Sequence, residues 1–193
     1  MKFLSKILLK LMGWKVIGGV APDPKCIVLG APHTSIWDFI VSRLFYTSLG
    51  GKAHVLVKKE LFFWPLSYFV RAMGGIPVDR SRGAALAKQI IDEFNRRDSL
   101  HLAIAIEGTR RATSNWKAGF HTIASATGIP VYTGFFDWGK KEVGIGEKIT
   151  LSDNAQNDII RIKQWYTRKG VKGKYPNMFI TGLKNYTSNG LDN

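Results

Sequence analysis

The chain has 193 residues, 45% of them apolar and 22% charged, the proportions of an ordinary globular domain, and global disorder is excluded. A chain this long buries roughly 70% of its unfolded surface without a disulfide or metal staple. Its single cysteine, Cys26, excludes a disulfide framework or a Cys-rich zinc site and, in an apolar run, reads as a small buried hydrophobe. Lys and Arg number 28 against 14 Asp and Glu, a net charge of +14, which calls for an anionic partner: nucleic acid, an anionic membrane surface or a phosphorylated substrate.

Met1 to Trp14 predict a surface helix. Phe3, Leu4, Ile7, Leu8 and Leu11 recur at helical spacing, and Lys2, Lys6 and Lys10 follow another face. A basic amphipathic helix closed by Trp14 suits the headgroup layer of an anionic membrane; the alternative is a helix that packs on its own domain. Lys6 and Lys10 interrupt what would be the core of a signal peptide, and no run reaches the roughly 18 apolar residues of a spanning helix.

From Lys25 onward, short apolar runs alternate with longer amphipathic ones. Strands are expected at 26–30, 53–57, 76–78, 102–106 and 129–136, with a further one at 143–149. Helices are expected at 36–49 (capped by Ser35), 60–72, 83–97, 117–127 and 153–168 (with Asp153 or Ser152 near its cap). This alternation predicts a single α/β domain with a mainly parallel or mixed sheet flanked by helices, residues 21–193 forming it behind the 1–20 helix. Ligands of such sheets bind beyond the carboxyl ends of the strands.

The motifs with chemical content fall on those loops. His33, in Ala31-Pro32-His33-Thr34-Ser35-Ile36-Trp37-Asp38, follows a predicted strand, and Asp38 falls in the first turn of the next helix. A histidine oriented by a carboxylate is a usable general base near neutral pH. On one straight helix the two side chains would diverge by about 140°, so His33 has to sit on the loop and fold back. Glu107-Gly108-Thr109-Arg110 also follows a strand; the glycine admits a close ligand and Arg110 offers a planar fork for phosphate. Gly74-Gly75-Ile76-Pro77-Val78-Asp79-Arg80 delivers Asp79 and Arg80 to a loop, and Gly128-Ile129-Pro130-Val131 leads into another strand. His54, His101 and His121 read as packing or surface residues, and Phe62, Phe63, Trp64 and Phe69 as either core or membrane-facing.

In this order the four blocks, with Lys58-Lys59-Glu60-Leu61 between the first two, resemble the glycerolipid acyltransferases typified by 1-acylglycerol-3-phosphate acyltransferase. The resemblance covers about Val28 to Phe136. It implies acyl transfer from a thioester, acyl-CoA or acyl-carrier protein, to a lysolipid hydroxyl, without a covalent acyl-enzyme and with no bound cofactor or metal. His33 would be the base and Asp38 its partner. Arg110, Arg80 and Lys58 would bind acceptor phosphate, beside a pocket shaped by Glu107, Gly108 and Thr109. Pro32, Ile106 and Arg111 stand where the family often has Asn, Pro and Ser; none of the three removes a catalytic group, and Arg111 adds charge beside the acceptor pocket. The expected partners are the two substrates and an anionic membrane, and the expected location is the cytoplasmic face of a membrane, as a peripheral protein. No nucleic acid is expected. The rival readings are a nucleic-acid binder, which would explain the charge, and a lipid-binding module that keeps the fold without the reaction.

Overall fold

A computed structural model describes residues 1–79 and 83–183. Helix α1 (Lys2–Leu11) and strand β1 (Lys15–Ile17) precede the first long strand, β2 (Lys25–Ala31). Then come α2 (Trp37–Leu49), β3 (Ala53–Lys58), α3 (Leu66–Ala72), β4 (Gly75–Val78) and α4 (Gly83–Arg96). The chain continues through β5 (Leu100–Ala105), α5 (Gly119–Thr127), β6 (Val131–Asp137), β7 (Glu142–Ile149) and α6 (Ala155–Lys169).

The strands form one seven-stranded sheet in the order β1-β7-β6-β2-β5-β3-β4. Every neighbouring pair is parallel except β6 and β7. The turn at 138–141 is too short for a crossover, so β7 must run back along β6. β2 lies between β5 and β6, with Gly30 opposite both Ala105 and Gly134. The parallel strands therefore deliver the loops after β2, β5 and β6 to one edge.

Each face of the sheet is covered. Ile27 and Leu29 of β2 join Ile90 and Phe94 of α4, Phe120 of α5 and Ile162 and Tyr166 of α6 in one core. Cys26 and Val28 alternate to the opposite face and pack with Leu9 of α1 and Val41 and Phe45 of α2. Cys26 is fully buried, and burial pushes its thiol up to about 12.

Three local expectations are corrected. The predicted helix at 60–72 is a 3-10 turn at Lys59–Leu61 followed by the shorter α3, because Pro65 is accommodated only at a helix start. Ser35 is not the cap of α2: Ile36 holds that position, and Ser35 Oγ accepts from the Trp37 amide at 3.2 Å. The α6 cap is Asn154, whose side chain accepts from the Gln156 and Asn157 amides. β1, three residues at the sheet edge, was too short to leave a periodic signal.

Candidate active site

β2 ends at Ala31, a cis Ala31–Pro32 bond follows, and His33 lies on the loop ahead of α2. Asp38 occupies the first turn of α2, where the helix dipole favours a carboxylate. The loop folds back as the spacing required. His33 Nδ1 lies 3.4 Å from Asp38 Oδ2, with His33 24% exposed and Asp38 completely buried. A buried carboxylate is tolerable only when hydrogen-bonded. Asp38 Oδ2 accepts from the Thr34 and Ser35 amides, each at 2.8 Å, and Oδ1 accepts from the Trp138 indole N–H at 2.7 Å. With Nδ1 turned to Asp38, Nε2 is the ring nitrogen left to act, and it has no protein partner among the described residues.

The motif after β5 docks onto this loop. Glu107 is buried, and its Oε1 accepts from the His33 amide at 2.7 Å. Desolvation pushes its carboxyl up to about 7, against the lowering influence of the His33 amide. Gly108 has φ +70°, and a Cβ there would lie 2.8 Å from Lys117 Cγ, so the turn accepts only glycine without rearrangement. Thr109 Oγ1 accepts from the Arg111 amide, and both Arg110 and Arg111 project as exposed side chains. Arg110 makes no ion pair among the described residues.

The remaining motif residues are farther along the same edge. Lys58, the exposed last residue of β3, pairs in register with Val78 of β4. Its neighbour Lys59 forms an ion pair with Asp79 at 2.6 Å. Arg80 lies outside the described residues. Among the described residues no group of His, Cys, Asp and Glu gathers as a metal site.

Two elements escaped the sequence reading. Trp138, the residue after β6, supplies the third donor to Asp38. An indole just past a strand's carboxyl end was a usable signal, but the expected strand stopped at 136. The second is the stretch after α6. Lys172 N–H donates to Asp137 and its carbonyl accepts from the Trp138 amide, while the Tyr175 amide donates to Thr34 Oγ1. Gly173 fits against Thr34 because it lacks a Cβ, which would fall 2.6 Å from Thr34 Cγ2. The stretch thus straps the His33 loop to the end of β6. Tyr166 of α6 ties the strands below, its hydroxyl shared between the carbonyls of Leu29 and Gly134 at 2.5 and 2.8 Å.

A histidine with one nitrogen held by a buried carboxylate and the other open, at the carboxyl edge of a parallel sheet, can serve as a general base in a group-transfer reaction. The acyltransferase family model matches residues 18–136, and the chain belongs to the acyltransferase family. The matched segment contains the His33–Asp38 loop and the Glu107–Arg110 turn. The fold is similar to the crystal structure of the 1-acyl-sn-glycerophosphate (LPA) acyltransferase PlsC from Thermotoga maritima, with a TM-score of 0.60. That likeness covers 90% of this chain and 79% of that chain at 16% sequence identity. No curated protein matches the chain.

Proposed function

We propose that the protein moves a fatty acyl group from an acyl thioester, acyl-CoA or acyl-carrier protein, to the hydroxyl of a lysolipid, 1-acylglycerol-3-phosphate before others. The observation that carries this reading is the His33–Asp38 pair with its open Nε2, hydrogen-bonded through Glu107 to a turn that exposes Arg110. The similar fold of an LPA acyltransferase supports the choice of acceptor. In the reaction, His33 Nε2 takes the proton of the acceptor hydroxyl as its oxygen adds to the thioester carbonyl. Asp38 holds the ring and offsets the imidazolium charge. Collapse of the tetrahedral intermediate expels the thiolate, which takes up the proton from His33. Arg110, with Arg80 and Lys58, holds the acceptor phosphate. Glu107 shapes the pocket from within by fixing the His33 backbone, since a carboxylate facing a phosphate would repel it. The scheme needs no resident cofactor.

The same reading puts the protein on an anionic membrane, at its cytoplasmic face where acyl thioesters are made. Among the described residues no helix is long and apolar enough to span a bilayer. Instead α1 buries only Ser5 and Leu9 and leaves Phe3 and Leu11 76% and 78% exposed. Phe63, Trp64 and Phe69, around the start of α3, are also exposed. Exposed aromatics and leucines beside lysines fit a lipid surface. Replacing Phe3 and Leu11 together by Ser is expected to cut co-sedimentation with anionic vesicles roughly tenfold or more and to leave thermal stability unchanged. Unchanged sedimentation would remove α1 from the membrane contact.

The activity is tested by thiol release from palmitoyl-CoA and palmitoyl-carrier protein on anionic vesicles, with lysophosphatidic acid, a neutral lysolipid or no acceptor. Release that requires lysophosphatidic acid and is lost in His33→Ala supports the reading. Release with another lysolipid alone changes the acceptor. No acceptor-dependent release from either donor overturns it in favour of a lipid-binding module.

A further inference from the structure

We propose that Trp138 is a positioning residue of the His33–Asp38 pair, its indole N–H holding the buried carboxylate in the orientation that presents Nε2 of His33 to the acceptor. This inference rests on the assignment of His33 as the base. The donors on Asp38 Oδ2, the Thr34 and Ser35 amides, belong to the loop that Asp38 itself caps, as does His33. They fix the loop relative to the carboxylate, not the carboxylate relative to the sheet. Oδ1 has one donor among the described residues, and it comes from the end of β6. Trp138 is therefore the side-chain donor that ties the carboxylate itself to the end of β6, as Glu107 ties the His33 backbone to the turn after β5.

Trp138 is itself held independently of Asp38. Its amide donates to the Lys172 carbonyl at 2.9 Å. Trp14 meets its ring edge-on, with centroids 5.0 Å apart, and the Lys141 and Lys174 ammoniums lie 4.5 and 5.0 Å from it. A donor locked by backbone, aromatic and cation–π contacts needs no reorganisation when the imidazolium forms, the property expected of a supporting group. Lys174 also lies 5.1 Å from the exposed Trp37 ring, so one cation joins the turn after β6 to the start of α2.

The test is Trp138→Phe in the full chain, which keeps a ring and loses the N–H. Thiol release is followed with lysophosphatidic acid and palmitoyl-CoA on anionic vesicles. We expect kcat to fall about tenfold, as for one lost hydrogen bond to a charged group, with both KM values within about twofold. In an Asp38→Asn background the same substitution is expected to have no further effect. A Trp138→Phe enzyme with wild-type kcat, while His33→Ala is inactive, overturns the inference and leaves the pair intact. Turnover that survives His33→Ala overturns the pair and Trp138's role with it. A second readout does not depend on a folded Trp138 variant. In the wild-type chain, the Trp138 indole N–H resonance is expected far downfield and to move upfield in Asp38→Asn; a resonance that stays put overturns the hydrogen bond.

Discussion

At the amino edge of the sheet, His101 on β5 sits beside Asp23 and Tyr46; at the carboxyl edge of the same strands, His33 sits beside Asp38 and Glu107. Both pairings place a histidine next to an acid. At the amino edge the groups satisfy one another. His101 Nε2 faces the Asp23 carbonyl at 2.8 Å and Nδ1 the Tyr46 hydroxyl at 3.4 Å, while the Tyr132 hydroxyl donates to the Asp23 carboxylate. At the carboxyl edge one imidazole nitrogen is left open toward solvent, and the structure spends its hydrogen bonds on the carboxylate behind it. His121, like His101, has both nitrogens engaged, with Ser152, Asp158 and Ser125. His54 has an unpartnered Nδ1, but it is sealed in the interior, and burial pushes its pKa down to about 4. A chemically useful histidine must be held on one side and reachable on the other, and among the described residues His33 alone meets both conditions.

The sharpest way to break this contrast is to remove each histidine in turn. His33→Ala is expected to lower kcat by about 10³-fold, the usual weight of a general base, with little change in stability. His101→Gln is expected to do the reverse, costing about 1–2 kcal/mol in urea unfolding through lost buried hydrogen bonds and leaving kcat within about twofold. Equal kinetic effects of the two substitutions would mean that the open nitrogen of His33 is not what separates the edges.

Next in size is the acid that only the carboxyl edge buries, against the His33 loop. Glu107 titrates near 7 in the folded chain against an ordinary 4.5. A raised carboxyl pKa means that the native state binds the proton more tightly than the unfolded chain. Stability from this group is therefore greatest below 4.5, falls as pH rises toward 7 and is flat above. Glu107→Gln keeps an acceptor for the His33 amide and removes the titration. Between pH 4 and pH 8 the wild type is expected to lose up to about 3 kcal/mol relative to the variant, measured by urea unfolding at each pH. A difference that does not change with pH would show that Glu107 is not held in a desolvated pocket.

The contrast also explains what the sequence could show. The strand–helix alternation and the edge that carries the motifs were legible, because both are written in apolar periodicity and in residues adjacent to strand ends. His33 on a loop folding back to Asp38 was legible too, since helical geometry left no other arrangement. The exposed apolar face of α1 follows from its spacing, although spacing alone left its own domain as the alternative partner. The place of Trp138 past a strand end left a usable signal, but its bond to Asp38 was not legible, and neither was the strap at 171–175. Both reach Asp38 and Thr34 across a hundred residues of chain or more, and no local pattern encodes a contact of that range. The inward turn of Glu107 was equally hidden, because it depends on a single hydrogen bond to the backbone of another loop.

The smallest expected effect concerns the cations at the two edges. At the amino edge Lys25 donates to the Phe94 carbonyl at 2.9 Å and Lys148 lies 3.7 Å from the Asp23 carboxylate. At the carboxyl edge Lys59 is paired with Asp79, whereas Arg110 is exposed and in no ion pair among the described residues. An exposed arginine costs little to keep hydrated, so it adds little to folding. Its planar fork is suited to a phosphate brought by the acceptor. Arg110→Ala is therefore expected to leave the unfolding midpoint in place. It should raise the KM for lysophosphatidic acid about tenfold, one charge-assisted hydrogen bond's worth, and leave the KM for a neutral lysolipid unchanged. If both acceptors lose affinity alike, Arg110 shapes the turn instead of reading the phosphate. The phosphate would then have to be held by Arg80 or Lys58, and Arg80→Ala or Lys58→Ala in the same assay would show the selective loss that Arg110→Ala did not.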